Sequence, residues 1–180
     1  MHTEVKGMKK YLSIIIFLIL GIFLFLIAVY LFRAQKTSGV IGERMAPFSL
    51  TSFTGKTINI EDYYGKVMVI NFWASWCVTC AEEAEYLEHI WQEYKPSEKV
   101  IVLGIDYVDT EKEAQAYLQK YAISYPNGAD LGMRISNQFR VRGVPETYII
   151  DKTGKIAFIK IGPYNTVQEL RSVIDDLLEG

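Results

Sequence analysis

Residues 11 to 32, YLSIIIFLILGIFLFLIAVYLF, carry no charged side chain. At a rise of about 1.5 Å per residue, roughly 20 apolar residues in a helix cross a hydrocarbon layer of about 30 Å. The run predicts a transmembrane helix over 11–32. A cleaved leader has an apolar region of only about 7 to 15 residues and ends in small residues of the A-x-A kind. This run is longer and leaves through Tyr30, Leu31, Phe32 and Arg33, so it reads as a retained, single-pass anchor. Lys6, Lys9, Lys10 and the amino terminus precede it, against Arg33 and Lys36 behind it. The excess of positive charge places residues 1–10 in the cytoplasm as a short tail and the rest of the chain on the other face of the membrane.

What remains is long enough for one domain. The segment 33–47 is polar, glycine-bearing and without apolar period, and reads as a tether; 48–180 is the expected folded domain. From Thr37 onward 14 Lys+Arg stand against 20 Asp+Glu, a net −6, compared with −2 for the whole chain. The basic residues therefore sit beside the membrane, and no basic stripe is left to bind nucleic acid.

Within the domain, Phe48–Phe53 and Lys56–Ile60 flank Thr54-Gly55 as a hairpin. Lys66–Trp73 is a nearly continuous apolar run suited to a strand buried on both faces, and Val100–Ile105 is a second. Cys77–Tyr94 has helical spacing, with Ala84, Leu87, Trp91 and Tyr94 on one stripe. Thr110 and Glu113 have capping-box spacing ahead of a helix that turns Ala114, Tyr117, Leu118 and Tyr121 inward. Tyr125–Gly128 reads as a turn, and a short helix over 133–139 follows it. Thr147–Ile150 and Lys155–Ile161 flank Asp151–Gly154 as a second hairpin. Asn165 is placed to cap a last helix whose Val167, Leu170, Val173, Ile174 and Leu177 face inward. The order ββ, βα, βα, α, ββα predicts an α/β domain with one mixed sheet and helices on both faces.

The chain holds two cysteines, Cys77 and Cys80, at the junction of the first buried strand and its helix. Structural zinc takes four ligands and one C-x-x-C supplies two. His2 lies on the far side of the expected anchor, and His89 is nine residues beyond Cys80, on the opposite helical face. A metal site is therefore short of ligands, and no metal or other cofactor is implied. Buried, inert thiols are the second possibility. Against that, Cys77 falls at a helix start, where free N–H groups and the helix dipole favour a thiolate, and an extracytoplasmic compartment favours disulfides. The residues point to a redox dithiol.

NFWASWCVTC, followed far downstream by GVPETYIID, resembles the membrane-anchored thioredoxin-like proteins of the TlpA, ResA and CcmG (DsbE) group, which serve cytochrome c maturation. The similarity covers about residues 43–180. It implies a thioredoxin-like fold and a thiol:disulfide oxidoreductase in which Cys77 attacks a target disulfide and Cys80 resolves the mixed disulfide. Independently, Cys80 lies one turn deeper than Cys77, and a deeper thiol with a raised pKa needs a proton acceptor nearby. Thioredoxins place an acid six residues before the first cysteine; here that position is Asn71, which cannot titrate. Glu83, three residues after Cys80 and bordering the apolar stripe, is the expected replacement, and the group carries a functional glutamate there. The alternative for Glu83, and the reading for Glu82, Glu85 and Glu88, is a solvated acid near a helix start.

Pro145 resembles the cis-proline that thioredoxin folds bring against the C-x-x-C, and Val144 before it would offer backbone groups to an extended substrate. Trp76 is expected on the exposed contact surface and Trp73 in the core. Two departures limit the resemblance: Val78 and Thr79 replace the usual C-x-P-C proline, and Ala81 replaces a frequent basic residue. The expected activity is reduction of a protein disulfide, with apocytochrome c as substrate and a membrane reductant of the DsbD or CcdA kind as electron donor. Reduction of a copper-centre assembly protein and non-catalytic Cu(I) carriage through Cys77 and Cys80 are the alternatives. A peroxide reductase is disfavoured, because the chain has no cysteine beyond this pair.

Overall fold

Val67–Trp73 (β3) runs through the middle of the sheet, with all seven side chains buried, as its unbroken apolar sequence requires. The computed structural model describes residues 15–27 and 40–180. Val100–Asp106 (β4) lies parallel to β3, and Asn127–Ala129 (β5) continues the parallel set at the edge. On the other side Glu146–Ile150 (β6) and Ile156–Ile161 (β7) are antiparallel, giving the order β5-β4-β3-β6-β7. This is a thioredoxin-like mixed sheet.

Of the expected anchor, 15–27 form an α-helix, α1, whose side chains are exposed; 11–14 and 28–32 lie outside the described residues, as do 1–10 and 33–39. Among the described residues no helix is long and apolar enough to cross a membrane. The folded domain is already engaged at Gly42, whose N–H donates to the Ile156 carbonyl. Met45, in the segment expected to be tether, is buried in the core.

Val78–Tyr94 (α2) and Val167–Glu179 (α5) cover one face of the sheet, meeting Val67, Val69, Val102 and Ile149 through Leu87, Ile90, Leu170 and Ile174. Arg134–Phe139 (α4) covers the other with Ile135 and Phe139, alongside the hairpin of Ser49–Thr51 (β1) and Thr57–Asn59 (β2). Phe48, Phe72, Phe139 and Tyr148 pack edge-on or tilted within that layer. The first hairpin forms a sheet of its own, where the sequence predicts a single sheet. Its three-residue strands bury only Leu50 and Ile58 against the face, and just beyond β1 Ser52 bridges Gly128 of the edge strand β5 while the Phe53 N–H donates to the Asn127 carbonyl.

Glu111–Lys120 (α3) begins with the expected capping box of Thr110 and Glu113. Two local expectations are corrected. Asn127 and Gly128 form a strand and not a turn, because Asn127 and its neighbours pair in register with Gly104, Ile105 and Asp106. The cap of α5 is Thr166, whose hydroxyl accepts from the Glu169 N–H, while Glu169 reaches back to the Asn165 N–H.

Candidate active site

β3 ends at Trp73, the chain turns through Ala74, Ser75 and Trp76, and α2 begins with Cys77 as its N-cap. A buried strand delivering its chain to a helix start puts the first cysteine beside free N–H groups; the Cys80 N–H donates to Cys77 Sγ at 3.1 Å. Cys77 and Cys80 form a disulfide with Cα atoms 5.2 Å apart. The sequence expects Cys77 at an exposed helix end. In this oxidised form it is only 6% exposed and Cys80 2%, because both pack with Trp73, Ala74, Ala114, Tyr117 and Val144. The order of depth is kept, with a narrow margin. Trp76 and Val78, on either side of Cys77, are 61% and 75% exposed, so an apolar rim surrounds the disulfide. The Trp76 indole N–H donates to the Val108 carbonyl at 3.2 Å, whereas Trp73 is core, stacked on Tyr117.

Glu83 lies one turn beyond Cys80 on the buried face of α2 and is 1% exposed. Its Oε1 accepts from the Asn71 amide at 2.8 Å and its Oε2 from the Tyr164 N–H at 2.9 Å. Burial pushes its pKa from 4.5 up to about 7, against the opposing pull of those two hydrogen bonds and of the Lys160 charge. Asn71 also donates to Thr147 Oγ1 at 2.9 Å, so one side chain ties β3 to α2 and β6. Glu82 and Glu85 are exposed. Glu88 is half-buried and accepts from the exposed Ser124 N–H and hydroxyl, which fixes the approach to β5. His89 is exposed and pairs with Glu93.

The Val144–Pro145 peptide is cis and leads directly into β6. Val144 packs against the cysteine cluster, and Glu146 is buried with its Oε2 accepting from the Arg142 N–H. The structure thus gathers Cys77, Cys80, Trp76 and the Val144–Pro145 turn at one end of the sheet, with Glu83 beneath. Two groups escaped sequence reasoning. Tyr164 supplies a backbone donor to Glu83 from 81 residues away. Asp109 accepts from the Ser75 N–H and hydroxyl and so holds the turn before Cys77. Neither has a local signature; only the spacing of Asp109 just past a buried strand end marks it as near the site.

The model of the AhpC/TSA family matches residues 41–159. The chain belongs to this family. It is similar to the thiol-disulfide oxidoreductase ResA of Bacillus cereus, 31% identical over 131 residues that cover 73% of this chain and 75% of that one. It is also similar to the thioredoxin-like protein YneN of Bacillus subtilis, 30% identical over 146 residues that cover 79% and 84%. Among solved structures, the thioredoxin-family thiol:disulfide interchange protein of Chlorobium tepidum matches with a TM-score of 0.68. At 20% identity, covering 79% of this chain and 97% of that one, it shows the fold. With a C-x-x-C disulfide at the helix start, this AhpC/TSA member is a thioredoxin-like thiol-disulfide oxidoreductase of the ResA/DsbE kind.

Proposed function

We propose that the chain is a membrane-tethered, extracytoplasmic disulfide reductase. The observation that carries this reading is Glu83, a carboxyl buried one turn beyond Cys80 and titrating near neutrality. An acid of that kind is what a buried resolving thiol requires.

In the reduced protein, Cys77 thiolate, favoured by the N–H groups at the start of α2, attacks one sulfur of the target disulfide. The target's S–S bond breaks, and its other sulfur leaves as thiolate and takes a proton from solvent. Cys80 gives its proton to the Glu83 carboxylate and attacks Cys77 Sγ. The mixed disulfide breaks, the second target sulfur departs as thiolate, and Cys77–Cys80 is again oxidised. Two electrons have moved to the target, and a membrane reductant of the DsbD or CcdA kind returns them. Val144 offers strand-like pairing to the substrate, Pro145 puts no N–H beside the sulfurs, and Trp76 supplies apolar contact.

Apocytochrome c is the proposed substrate, since its C-x-x-C-H must be a dithiol before haem attachment. The anchor is the charge-free run 11–32, and the asymmetry of its basic flanks supports an outward-facing domain. The test is trapping: Cys80→Ala leaves Cys77 unable to be released, so a mixed disulfide through Cys77 accumulates and mass spectrometry identifies the partner. Absence of any adduct beyond those formed by an unrelated thiol protein overturns the dedicated-reductase reading.

A further inference from the structure

Asp106 ends β4 opposite Trp73, is 1% exposed, and has no hydrogen-bond donor on either carboxylate oxygen. Leaving a buried carboxylate without a donor is costly. The charged groups that face it are also acids: Asp109 from the following loop, Asp130 from beyond β5, and Glu113 from α3. Asp130 is satisfied by the Ile135 and Ser136 N–H groups and the Ser136 hydroxyl, and Glu113 by Thr110. Arg134, which lines the same cavity of about 510 Å³ as Asp109 and Asp130, gives its Nη2 to the Ser49 carbonyl. Asp109 lies within hydrogen-bonding reach of Asp106. Two ionised carboxylates there would repel, whereas one retained proton turns Asp106 into a donor and leaves Asp109 ionised.

Asp109 is also the acceptor for the N–H and hydroxyl of Ser75, two residues before Cys77, while the neighbouring Val108 carbonyl receives the Trp76 indole. The geometry points to Asp106 and Asp109 as a proton-sharing carboxyl pair that positions the Ala74–Trp76 turn, and through it Cys77, separately from the proton acceptor Glu83. Asp106 and Asp109 are positioning residues here: they act through Ser75 and Trp76 and touch neither sulfur in the hydrogen-bond network. Burial, with Asp109, Asp130 and Glu113 adding to it, pushes the Asp106 pKa up to about 8, so the pair loses its proton just above neutrality.

This inference rests on Cys77 as the attacking thiol, and its test needs no substrate. In the oxidised full chain, where neither sulfur titrates, the Ser75 amide and the Trp76 indole N–H resonances are followed by NMR from pH 5 to 9.5. Both are expected to shift with one common midpoint above pH 7, together with the Asp106 carboxyl carbon. Asp106→Asn, which keeps a donor toward Asp109, should abolish the step in both N–H resonances, and Glu83→Gln should leave it in place. A step that survives Asp106→Asn, or an Asp106 carboxyl titrating in the ordinary range near 4, overturns the assignment. A failed trapping experiment with an intact NMR step would instead count against the reductase reading alone.

Discussion

The Asn71 side-chain amide donates to Glu83 Oε1 at 2.8 Å, joining the middle of β3 to the first turns of α2. Its second hydrogen goes to Thr147 Oγ1 on β6. The position that would carry an acid on the strand thus carries the amide that orients an acid on the helix. Asn71→Asp should place two carboxyls on one proton, raise the upper apparent pKa beyond the value near 7 for Glu83, and move the pH–rate profile of disulfide exchange upward by about one unit or more. An unchanged profile would show that Glu83 does not govern it.

Glu83→Gln keeps the shape of the side chain and removes its proton chemistry. General acid–base groups contribute about 10²- to 10⁴-fold, and water can partly substitute at a thiol, so exchange at pH 7 should slow about 10- to 100-fold. Glu82→Gln, at an exposed position one residue earlier, should change the rate less than about twofold, since exposed charges act weakly. Stopped-flow reduction of a peptide disulfide checks both. Equal losses would remove Glu83 from the mechanism.

Stability should carry the same signature. The Glu83 pKa is raised from 4.5 to about 7 in the fold, so between those values the folded chain keeps a proton that the unfolded chain releases. The sign follows: stability is greatest below about pH 4.5 for this group and falls as pH rises to 7, by up to about 3 kcal/mol at about 1.36 kcal/mol per unit. Asp106, raised from 3.8 to about 8, acts in the same direction over a wider window. Denaturant titrations of the oxidised protein should therefore show a decline from pH 5 to 8. Glu83→Gln should roughly halve its slope between 5 and 7, where Asp106 still contributes, and leave the part extending toward 8.

The elements legible in the sequence are those where burial writes a period. β3 and β4 are continuous apolar runs because both faces are covered, and the Thr110–Glu113 box and the stripe of α5 are local. Cys77, Cys80 and Glu83 were legible because spacing on one helix fixes their relative height. What was not legible depends on contacts between distant segments. β5 is three residues of Asn, Gly and Ala, poor strand formers that pair because Gly104 lies opposite. Tyr164 reaches Glu83 with its backbone N–H, which any residue type but proline could supply. Asp106 looks like an ordinary acid at a strand end; only the fold surrounds it with other acids and no donor.

Gly104 shows how tightly the end of the sheet is built. A Cβ there would lie 1.7 Å from Asn127 Oδ1 and 2.9 Å from Trp73 Nε1, the two atoms that form a 2.8 Å hydrogen bond. Gly104→Ala must separate Trp73 from Asn127 and push β5 off β4. Overpacking of this kind costs about 1–3 kcal/mol, and a buried indole N–H left unpaired adds about 1–3. The expected loss is about 3 kcal/mol in denaturant unfolding, with weakened amide protection in residues 127–129. A stable variant with that protection intact would contradict the packing described.

Tyr148 links the core to the turn that carries Pro145. Its hydroxyl lies in the aromatic layer, donates to the Phe139 carbonyl at 2.8 Å and also contacts Glu146 Oε1, while Glu146 Oε2 accepts from the Arg142 N–H. Tyr148→Phe keeps the ring packing with Phe72 and Phe139 but leaves a carbonyl and a carboxylate oxygen facing a ring edge. The hydroxyl has one hydrogen to share between these two acceptors, and a buried acceptor left without a donor costs about 1–3 kcal/mol, so global stability should fall by about 2 kcal/mol. Because Glu146 anchors residues 142–145 from below, the same change should loosen the Val144–Pro145 turn and raise KM for a peptide disulfide several-fold. The rate of single-turnover reaction at saturating peptide should stay within about twofold, since the cysteines and Glu83 are untouched. A loss confined to that saturating rate would place Tyr148 in the chemistry and not in the support of the turn.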